Sequence, residues 1–355
     1  MSEYNIGKIY ANDLHLQQQA NQLLEINHIR AEKNLDYRCA MLDQQDNLIA
    51  TGGLLGNSLR CLAVSPEHQG EGLMNEIITH LINIQFERGN THLFLYTKTE
   101  SAKFFHQLGF YPIAQAPNLA VFMENKQTGF QDYLHSLQQA SPNLTPQSHI
   151  AAIVMNANPF TLGHQYLIEK AAAENDLVHL FILSEDISLF PFEIRKMLIQ
   201  QGIAHLDNVI CHDTKSYLIS QATFPSYFQQ DEEAVIKSNV QIDLAIFTQI
   251  AKQLHITKRY VGEEPFSQVT KIYNQMMQQQ LQTQYIDVIE IARKPITQSN
   301  QSQAISASTV RQAIKENNWQ LVQQSVPAST FTFLQSPLAE PIITKIQHSE
   351  NVKHY

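Results

Sequence analysis

Apolar and polar positions alternate along the chain in two different ways, and this divides it into two regions. In the first third, short apolar runs such as 37–42 and 48–54 flank the polar turn 43–47, which predicts antiparallel strands. From residue 149 onward, short apolar runs alternate with segments of helical periodicity. The pattern predicts an α/β protein: a mixed α/β domain in front, then a Rossmann-like, doubly wound parallel sheet.

The second region opens with the apolar run 150–155, which is short enough for one buried strand. A polar turn follows, and apolar residues then return at helical spacing at 167, 168, 171 and 172. A helix that begins there presents unpaired N–H groups and the positive end of its dipole, which together favour an anion. Thr161, Gly163 and His164 lie at this predicted helix start.

The remaining periodicity completes the expected domain organisation. We predict a front domain at 1–125, a connection with a short helix at 126–148, a second domain at 149–340 and a C-terminal tail at 341–355. In the second domain the later strands and helices are expected at 177–183, 192–202, 208–212, 240–254, 259–262, 268–281, 284–291 and 306–316.

Composition narrows the class of function. The 355 residues include 24 basic and 33 acidic side chains, a formal charge of −9, which argues against a nucleic-acid partner. Three widely spaced cysteines predict neither a disulfide framework nor a zinc site. Since no apolar run reaches membrane-spanning length, we expect a cytoplasmic protein without a membrane partner.

Two short motifs suggest the chemistry of the second domain. Residues 161–164 read T-L-G-H and residues 305–311 read I-S-A-S-T-V-R. They resemble the (H/T)-x-G-H and I-S-x-S-x-x-R signatures of the nucleotidyltransferase superfamily. The resemblance implies catalytic roles for His164, Thr161 and Arg311: His164 and Thr161 would donate to phosphate oxygens, and Arg311 would clamp the β- and γ-phosphates. It also implies a set of nucleotide-binding residues: Asn158, Phe160, Gly163, Ser306, Ser308 and Thr309.

A glycine-containing segment of the front domain points to a second phosphate-binding loop. Residues 64–73 read V-S-P-E-H-Q-G-E-G-L, which resembles the pyrophosphate loop of the GNAT acetyltransferase family. Gln69 and Gly72 match that pattern, whereas Met74 stands where glycine or alanine is usual. The resemblance implies that Gln69, Gly70 and Gly72 bind a coenzyme A-like group. A strand, turn and helix without a ligand is the alternative.

A wider resemblance covers nearly the whole chain. Residues 155–169, 216–228 and 261–266 resemble the citrate lyase ligase family, as do the late signature and the GNAT-like front domain. The resemblance implies ATP, Mg²⁺ and acetate as reactants, with acetyl adenylate as the intermediate. The acceptor would be a thiol of a phosphoribosyl-dephospho-coenzyme A group on the acyl carrier subunit of citrate lyase. Ser220 and Thr223 would then line the acetate or adenylate pocket.

Other functions remain open from the residues alone. One is an adenylyltransferase that makes a stable nucleotide product, and another is an acetyltransferase or acyl-carrier binding module with a dormant nucleotide site. Segment 216–228 could also be an ordinary loop packed by aromatic residues. Arg195, on a predicted helix, either reaches phosphate or is solvated.

Overall fold

The chain folds into two compact units. The structure, a computed structural model, describes residues 4–32, 34–142, 145, 147–185, 188–218, 232–263, 268–292, 295–298 and 301–352. The described residues of 1–133 and 225–245 form the first unit, and those of 134–224 and 246–355 form the second. The predicted boundary near residue 125 lies close to the end of the first continuous segment.

The first unit is built on a mixed sheet. Its strands are β1 Asn5–Lys8, β2 Tyr37–Leu42, β3 Leu48–Leu55, β4 Ser58–Val64, β5 Phe94–Thr97, β6 Tyr111–Ala116 and β7 Ala120–Glu124, in the order β1-β2-β3-β4-β5-β7-β6. The helices up to the start of the second unit are α1 Leu14–Ile26, α2 Leu73–Glu87, α3 Ala102–Gln107 and α4 Gly129–Gln139. Leu73, Ile77, Ile78 and Leu81 on α2 pack against the sheet and belong to its hydrophobic core.

Strands β4 and β5 separate after a short contact. They run parallel and pair only at Ser58–Phe94 and Leu59–Leu95, although both strands continue further. The register of β4 against β3 shifts near Cys61, whose φ is 52°. This shift is a bulge, which bends a strand away from its neighbour. Beyond Leu59 the main-chain groups between β4 and β5 are therefore not paired with one another.

The second unit is an all-parallel sheet with helices. Its strands are β8 Ile150–Met155, β9 Leu177–Ile182, β10 Val209–Asp213, β11 Lys258–Gly262 and β12 Asp287–Ile291, in the order β10-β9-β8-β11-β12. A separate hairpin pairs β13 Pro295–Gln298 with β14 Gln301–Ala304. Its helices are α5 Leu162–Glu174, α6 Phe192–Gly202, α8 Gln268–Gln282, α9 Ala307–Lys315, α10 Trp319–Ser325, α11 Ala328–Leu334 and α12 Glu340–His348. Helix α7 Glu232–Gln253 begins in the first unit and ends in the second.

Strand β8 occupies the centre of this sheet, where the strand order reverses. The chain proceeds from β8 to β9 and β10 on one side, and then to β11 and β12 on the other. Ligands of such sheets bind beyond the carboxyl ends of the strands at the point of reversal. The first signature follows the carboxyl end of β8 after the turn 156–160, at that position.

The residues expected to form a C-terminal tail belong to the core instead. Ile342 and Ile346 on α12 are buried, as is Val352 beyond it, and all three join the hydrophobic cluster under the parallel sheet. Their spacing of four residues places both isoleucines on one helix face, which packs near α9. A helix of nine residues with two apolar anchors gives too weak a periodicity to be recognised in sequence.

Candidate active site

The T-L-G-H signature forms the start of α5. Thr161 is the N-cap residue, and its Oγ1 accepts a hydrogen bond from the N–H of His164 at 3.3 Å. In return, Nδ1 of His164 accepts the N–H of Thr161 at 3.1 Å and lies 3.0 Å from Oγ1 of Thr161. This is a capping box in which histidine takes the position that glutamate usually holds.

The capping box determines which nitrogen of His164 carries the proton. Because Nδ1 accepts the N–H of Thr161, it has no hydrogen of its own, and the neutral imidazole is protonated at Nε2. Thr161 is 1% exposed, and its hydroxyl is engaged with His164. Thr161 therefore orients the histidine, whereas the sequence had suggested that it could donate to phosphate directly.

The two signatures meet at Gly163. A Cβ placed on Gly163 would lie 3.3 Å from the carbonyl oxygen of Ile305, the residue that opens the second signature. Ser306 follows as the N-cap of α9 and accepts the N–H of Thr309 at 3.0 Å. Its hydroxyl also lies 2.8 Å from that of Ser308. Two helix starts, each with hydroxyl groups, are thus brought side by side.

The buried Arg311 links the two signatures from within. Arg311 is 3% exposed. Its Nη1 donates to the carbonyl of Asn158 at 2.5 Å, and its Nε donates to the carbonyl of Val352 at 2.6 Å. We expected this guanidinium to clamp phosphate. In the structure these two donors instead hold the turn after β8 against the C-terminal segment.

Arg195, which the sequence placed either near phosphate or in solvent, is fully buried. Its donors reach four main-chain carbonyls, those of Asn156, Leu183, Glu185 and Phe190, at 2.6–3.0 Å. A signal for this role was present in the sequence. Arg195 shares a helix face with Leu198, Ile199 and Gly202, which makes it a charged residue in an apolar stripe.

Asn158 and Phe160 support the turn between β8 and α5. Oδ1 of Asn158 accepts the N–H of Phe190 at 3.0 Å, and Nδ2 of the same side chain is buried without a hydrogen-bond partner. The ring of Phe160 is buried, stacks at 6.0 Å on that of His164 and fills the space beside Gly202. Phe160 thus packs behind the histidine, where it fixes the orientation of the ring.

Two of the expected site residues lie outside the part of the chain that the structure describes. They are Ser220 and Thr223, predicted for the acetate or adenylate pocket.

A cavity of about 590 Å³ lies at the amino edge of the parallel sheet, opposite the edge that carries the signatures. Ile150, Leu177 and Thr257 line it. It does not include the residues of either signature.

The expected coenzyme-binding loop of the first unit lies between β4 and α2. Gly70 and Gly72 have φ values of 92° and 83°, and a Cβ on either would meet no atom within 4 Å. Gly72 is the N-cap of α2, and no side chain caps this helix. Within the described residues, the N–H groups from Gly70 to Met74 donate to no protein acceptor. The loop therefore presents open backbone donors at the positive end of a helix dipole.

Met74 stands where the loop pattern has glycine or alanine, but it does not obstruct the loop. Its side chain packs against the hydrophobic cluster under α2. The feature that the loop pattern requires at this position is a backbone N–H, which methionine also provides.

A buried histidine pair sits on adjacent strands of the second unit. Nδ1 of His179 on β9 lies 2.8 Å from Nε2 of His212 on β10. Burial lowers the pKa of His179 to about 3, and the neighbouring His212 lowers it further. Burial likewise lowers the pKa of His212 to about 4. Both rings are therefore neutral near pH 7, and this pair takes no part in the signatures.

Two searches of the described residues bear on metals and membranes. No group of three or more histidine, cysteine, aspartate or glutamate side chains is arranged there to hold a metal ion. No helix in that part of the chain combines the length and apolar character that a membrane span requires.

The fold and the two signatures are typical of a two-domain α/β enzyme. Its first unit is of the GNAT type, and its second, parallel-sheet unit is of the nucleotidyltransferase type. Residues 10–110 match the acetyltransferase (GNAT) family, and residues 150–334 match the citrate lyase ligase C-terminal domain. The citrate (pro-3S)-lyase ligase of Klebsiella pneumoniae is 42% identical over 309 residues, which is 85% of this chain and 88% of that protein. The chain therefore belongs to the citrate lyase ligase family.

One further relative and one solved structure are also similar to this chain. The citrate (pro-3S)-lyase ligase of Escherichia coli strain K12 is 43% identical over 301 residues, with 83% of this chain and 84% of that protein covered. Among solved structures, an aminoglycoside 6′-N-acetyltransferase complexed with coenzyme A aligns with 34% of this chain and 95% of its own, at 16% identity and a TM-score of 0.31.

Proposed function

We propose that this protein is an ATP-dependent acetate ligase that acetylates a thiol of citrate lyase. Acetate and ATP would form acetyl adenylate and pyrophosphate in the second unit. The acetyl group would then pass to the prosthetic-group thiol on the acyl carrier subunit, with release of AMP. Family membership supports the ligase activity, and the meeting of two signature helix starts at Gly163 and Ile305 is the structural observation that carries the proposal.

The first step needs charge stabilisation more than proton transfer. Acetate is ionised near neutral pH, because carboxylic acids titrate at about pH 4, so its oxygen attacks the α-phosphorus without a general base. The bond between the α- and β-phosphates breaks, and negative charge builds up on the leaving pyrophosphate. The N–H groups at the starts of α5 and α9 are donors of the type that stabilises such charge.

His164 is the side chain that we assign to the reacting phosphates. Its capping box leaves the proton on Nε2, so a neutral imidazole can donate to a phosphate oxygen without a change of tautomer. Gly163 and the hydroxyls of Ser306, Ser308 and Thr309 would complete the nucleotide site. The buried Nδ2 of Asn158, which has no protein acceptor, fits a position that a ligand completes.

Mg²⁺ would enter with ATP and would neutralise charge on its phosphates. Magnesium commonly keeps several waters and uses few protein ligands. The residues named above would orient the phosphates whether or not one of them also contacts the ion.

The first unit would hold the acceptor. The prosthetic group contains a pyrophosphate and a pantetheine arm, as coenzyme A does, and the loop of Gln69, Gly70 and Gly72 offers open backbone donors to the pyrophosphate. Because β4 and β5 do not pair with one another beyond Leu59, their facing edges can hydrogen-bond the amides of an extended arm. In the second step the thiol sulfur attacks the acyl carbon, and the bond from that carbon to AMP breaks.

The exchange of labelled pyrophosphate into ATP tests the adenylation step. We expect exchange that depends on acetate and needs no acyl carrier, because acetyl adenylate forms before the thiol is used. Exchange that is independent of acetate, or that requires the carrier, would contradict this order of steps. An adenylyltransferase with a stable product would require its own phosphorylated acceptor, and a dormant nucleotide site would give no exchange at all.

A further inference from the structure

The turn that carries the first signature is held by two buried arginines, and one of them lies outside both signatures. Arg311 binds the carbonyl of Asn158, while Arg195 binds the carbonyl of Asn156, two residues earlier in the same turn. Between them lies Ala157, whose φ of 52° is unusual for a residue with a side chain. The turn is therefore set by its surroundings more than by its own conformational preference.

Arg195 joins two segments at the carboxyl edge of the sheet, the turn after β8 and the connection between β9 and α6. Nη1 donates to the carbonyls of Asn156, after β8, and Leu183, after β9, both at 2.8 Å. Nη2 donates to the carbonyl of Glu185 at 2.6 Å, and Nε donates to that of Phe190 at 3.0 Å. A planar guanidinium with five N–H groups can bridge carbonyls from several directions, which an ammonium on a flexible stem does not reproduce.

The same segments also interlock without Arg195. The N–H of Phe190 donates to Oδ1 of Asn158, and Nδ2 of Asn156 donates to the hydroxyl of Ser188 at 3.0 Å. The side chains of Asn156 and Asn158 thus hydrogen-bond to the connection between β9 and α6, and the carbonyl of Asn156 is linked to the same connection through Arg195. A change at the guanidinium should move the turn and this connection as one element.

We propose that Arg195 is a positioning residue for adenylate formation. It acts through the turn 156–160, which leads into Thr161 and fixes the place of His164 relative to the start of α9. Its buried guanidinium does not itself need to contact ATP. This inference rests on the proposed function, because it assigns the turn to the site where acetyl adenylate forms.

The consequence for kinetics differs from that of a residue that binds ATP. Both helix starts keep their caps when Arg195 is replaced, so ground-state binding of the phosphates should change little. Misplacement of a catalytic group by about 1 Å can lower the rate roughly 10²-fold. We therefore expect Arg195→Met to lower kcat of acetate-dependent pyrophosphate exchange by about 10- to 100-fold, with a change in KM for ATP of less than about threefold.

A second buried arginine of the same unit provides the matched control. Arg259 on β11 is 4% exposed, its Nη2 donates to the hydroxyl of Tyr273 at 3.2 Å, and its guanidinium lies 4.3 Å from the ring centre of Phe247. These partners lie on α7 and α8, away from the turn after β8. Arg259→Met should therefore destabilise the fold without the selective loss of kcat.

The experiment compares Arg195→Met, Arg195→Lys and Arg259→Met in the full-length protein. For each variant, thermal unfolding, kcat and KM for ATP in pyrophosphate exchange are measured together. The expected order of kcat is wild type, then Arg195→Lys, then Arg195→Met, with Arg259→Met near wild type. Equal kcat values for Arg195→Met and Arg259→Met at similar melting temperatures would overturn the proposal.

Two further outcomes decide the remaining cases. If Arg195→Met does not fold, Arg195→Lys keeps the buried charge and serves alone, and a wild-type kcat in that folded variant would overturn the proposal. If the wild-type protein shows no acetate-dependent exchange, that result refutes the proposed function. It is distinct from a failure of the positioning role, which requires an active wild-type protein and an equally active Arg195 variant. A loss of ATP binding equal to the loss of kcat would assign Arg195 to the binding site itself and would also refute a positioning role.

Discussion

The starts of α2 and α5 present hydrogen-bond donors at a helix N-terminus in two different ways. At α2 the donors belong to the backbone alone: Gly70 and Gly72 take positive φ values, no side chain caps the helix, and the space around both glycines is open. At α5 the helix is capped by side chains, and the cap itself holds an imidazole with its donor on Nε2. The first arrangement suits binding, and the second suits stabilisation of a reacting group.

The difference also shows in what surrounds each glycine. A Cβ on Gly72 would meet nothing within 4 Å, whereas one on Gly163 would lie 3.3 Å from the carbonyl of Ile305. Gly72 is thus favoured at this position by its positive φ, and the proposed function adds the close approach of a ligand. Gly163 is needed because another part of the protein, the second signature, packs against it.

The largest effect is expected at the α5 start. His164→Ala removes one preorganised donor from the reacting phosphates and should lower acetate-dependent pyrophosphate exchange by roughly 10²–10³-fold. Capping by Thr161 should partly persist, since its hydroxyl still accepts the N–H of residue 164, so the melting temperature should change little. Near-normal exchange in this variant would remove His164 from the reaction and with it the contrast between the two helix starts.

A smaller and more selective effect is expected at the α2 start. Gly72→Val places a branched side chain where the phosphate must approach and should lower thiol acetylation by about tenfold or more, because backbone donors are then blocked. Acetate-dependent pyrophosphate exchange needs no carrier and should survive. The measurement is the ratio of the two activities in one folded preparation.

Gly89 supplies a matched control for backbone strain. It follows the other end of α2 with a φ of 80° and also has nothing within 4 Å of a Cβ. Gly89→Val should therefore cost similar stability and leave thiol acetylation intact. If both valine variants lose acetylation equally, or if Gly72→Val also abolishes exchange, the division of labour between the units is wrong.

The smallest effect on activity is expected at the pair of His179 and His212, which instead affects the pH dependence of the stability of the second unit. His179 and His212 are neutral in the folded state, with pKa values of about 3 and 4, whereas an unfolded histidine titrates near pH 6.5. The unfolded chain thus takes up protons that the folded chain excludes as the pH falls below about 6.5. Stability is lost on acidification, by on the order of 2 kcal/mol for each histidine between about pH 6.5 and pH 5.

Amide hydrogen exchange of peptides from the parallel sheet, followed from pH 7 to pH 5, measures this loss after correction for the intrinsic exchange rate. His179→Leu combined with His212→Leu removes both partners of the pair and should flatten the pH dependence, because no unpaired polar group is left behind. Pyrophosphate exchange at pH 7 should not change. An unaltered pH dependence in the double variant would show that other groups carry it.

The local pattern of the chain predicted much of this molecule. The strand of 150–155, the helix of 192–202 and the T-L-G-H helix start were all foreseen, because periodicity and capping depend on residues within one or two turns of each other. The loop between β4 and α2 was expected from its resemblance to the GNAT pyrophosphate loop, and its binding role stays a prediction. Family resemblance added the assignment of a ligase, which the comparisons confirm.

Tertiary structure alone decided how the site is held. Arg311 donates to a carbonyl 153 residues away in the chain, and α12, expected as a tail, contributes to the core beside it. Arg195 likewise donates to main-chain carbonyls, and Thr161 hydrogen-bonds to the ring of His164. Neither contact was predicted. A sequence records that an arginine or a hydroxyl is present, but the partner of a buried polar group is chosen by whichever acceptors the fold brings within about 3 Å, since a buried donor left unpaired is costly.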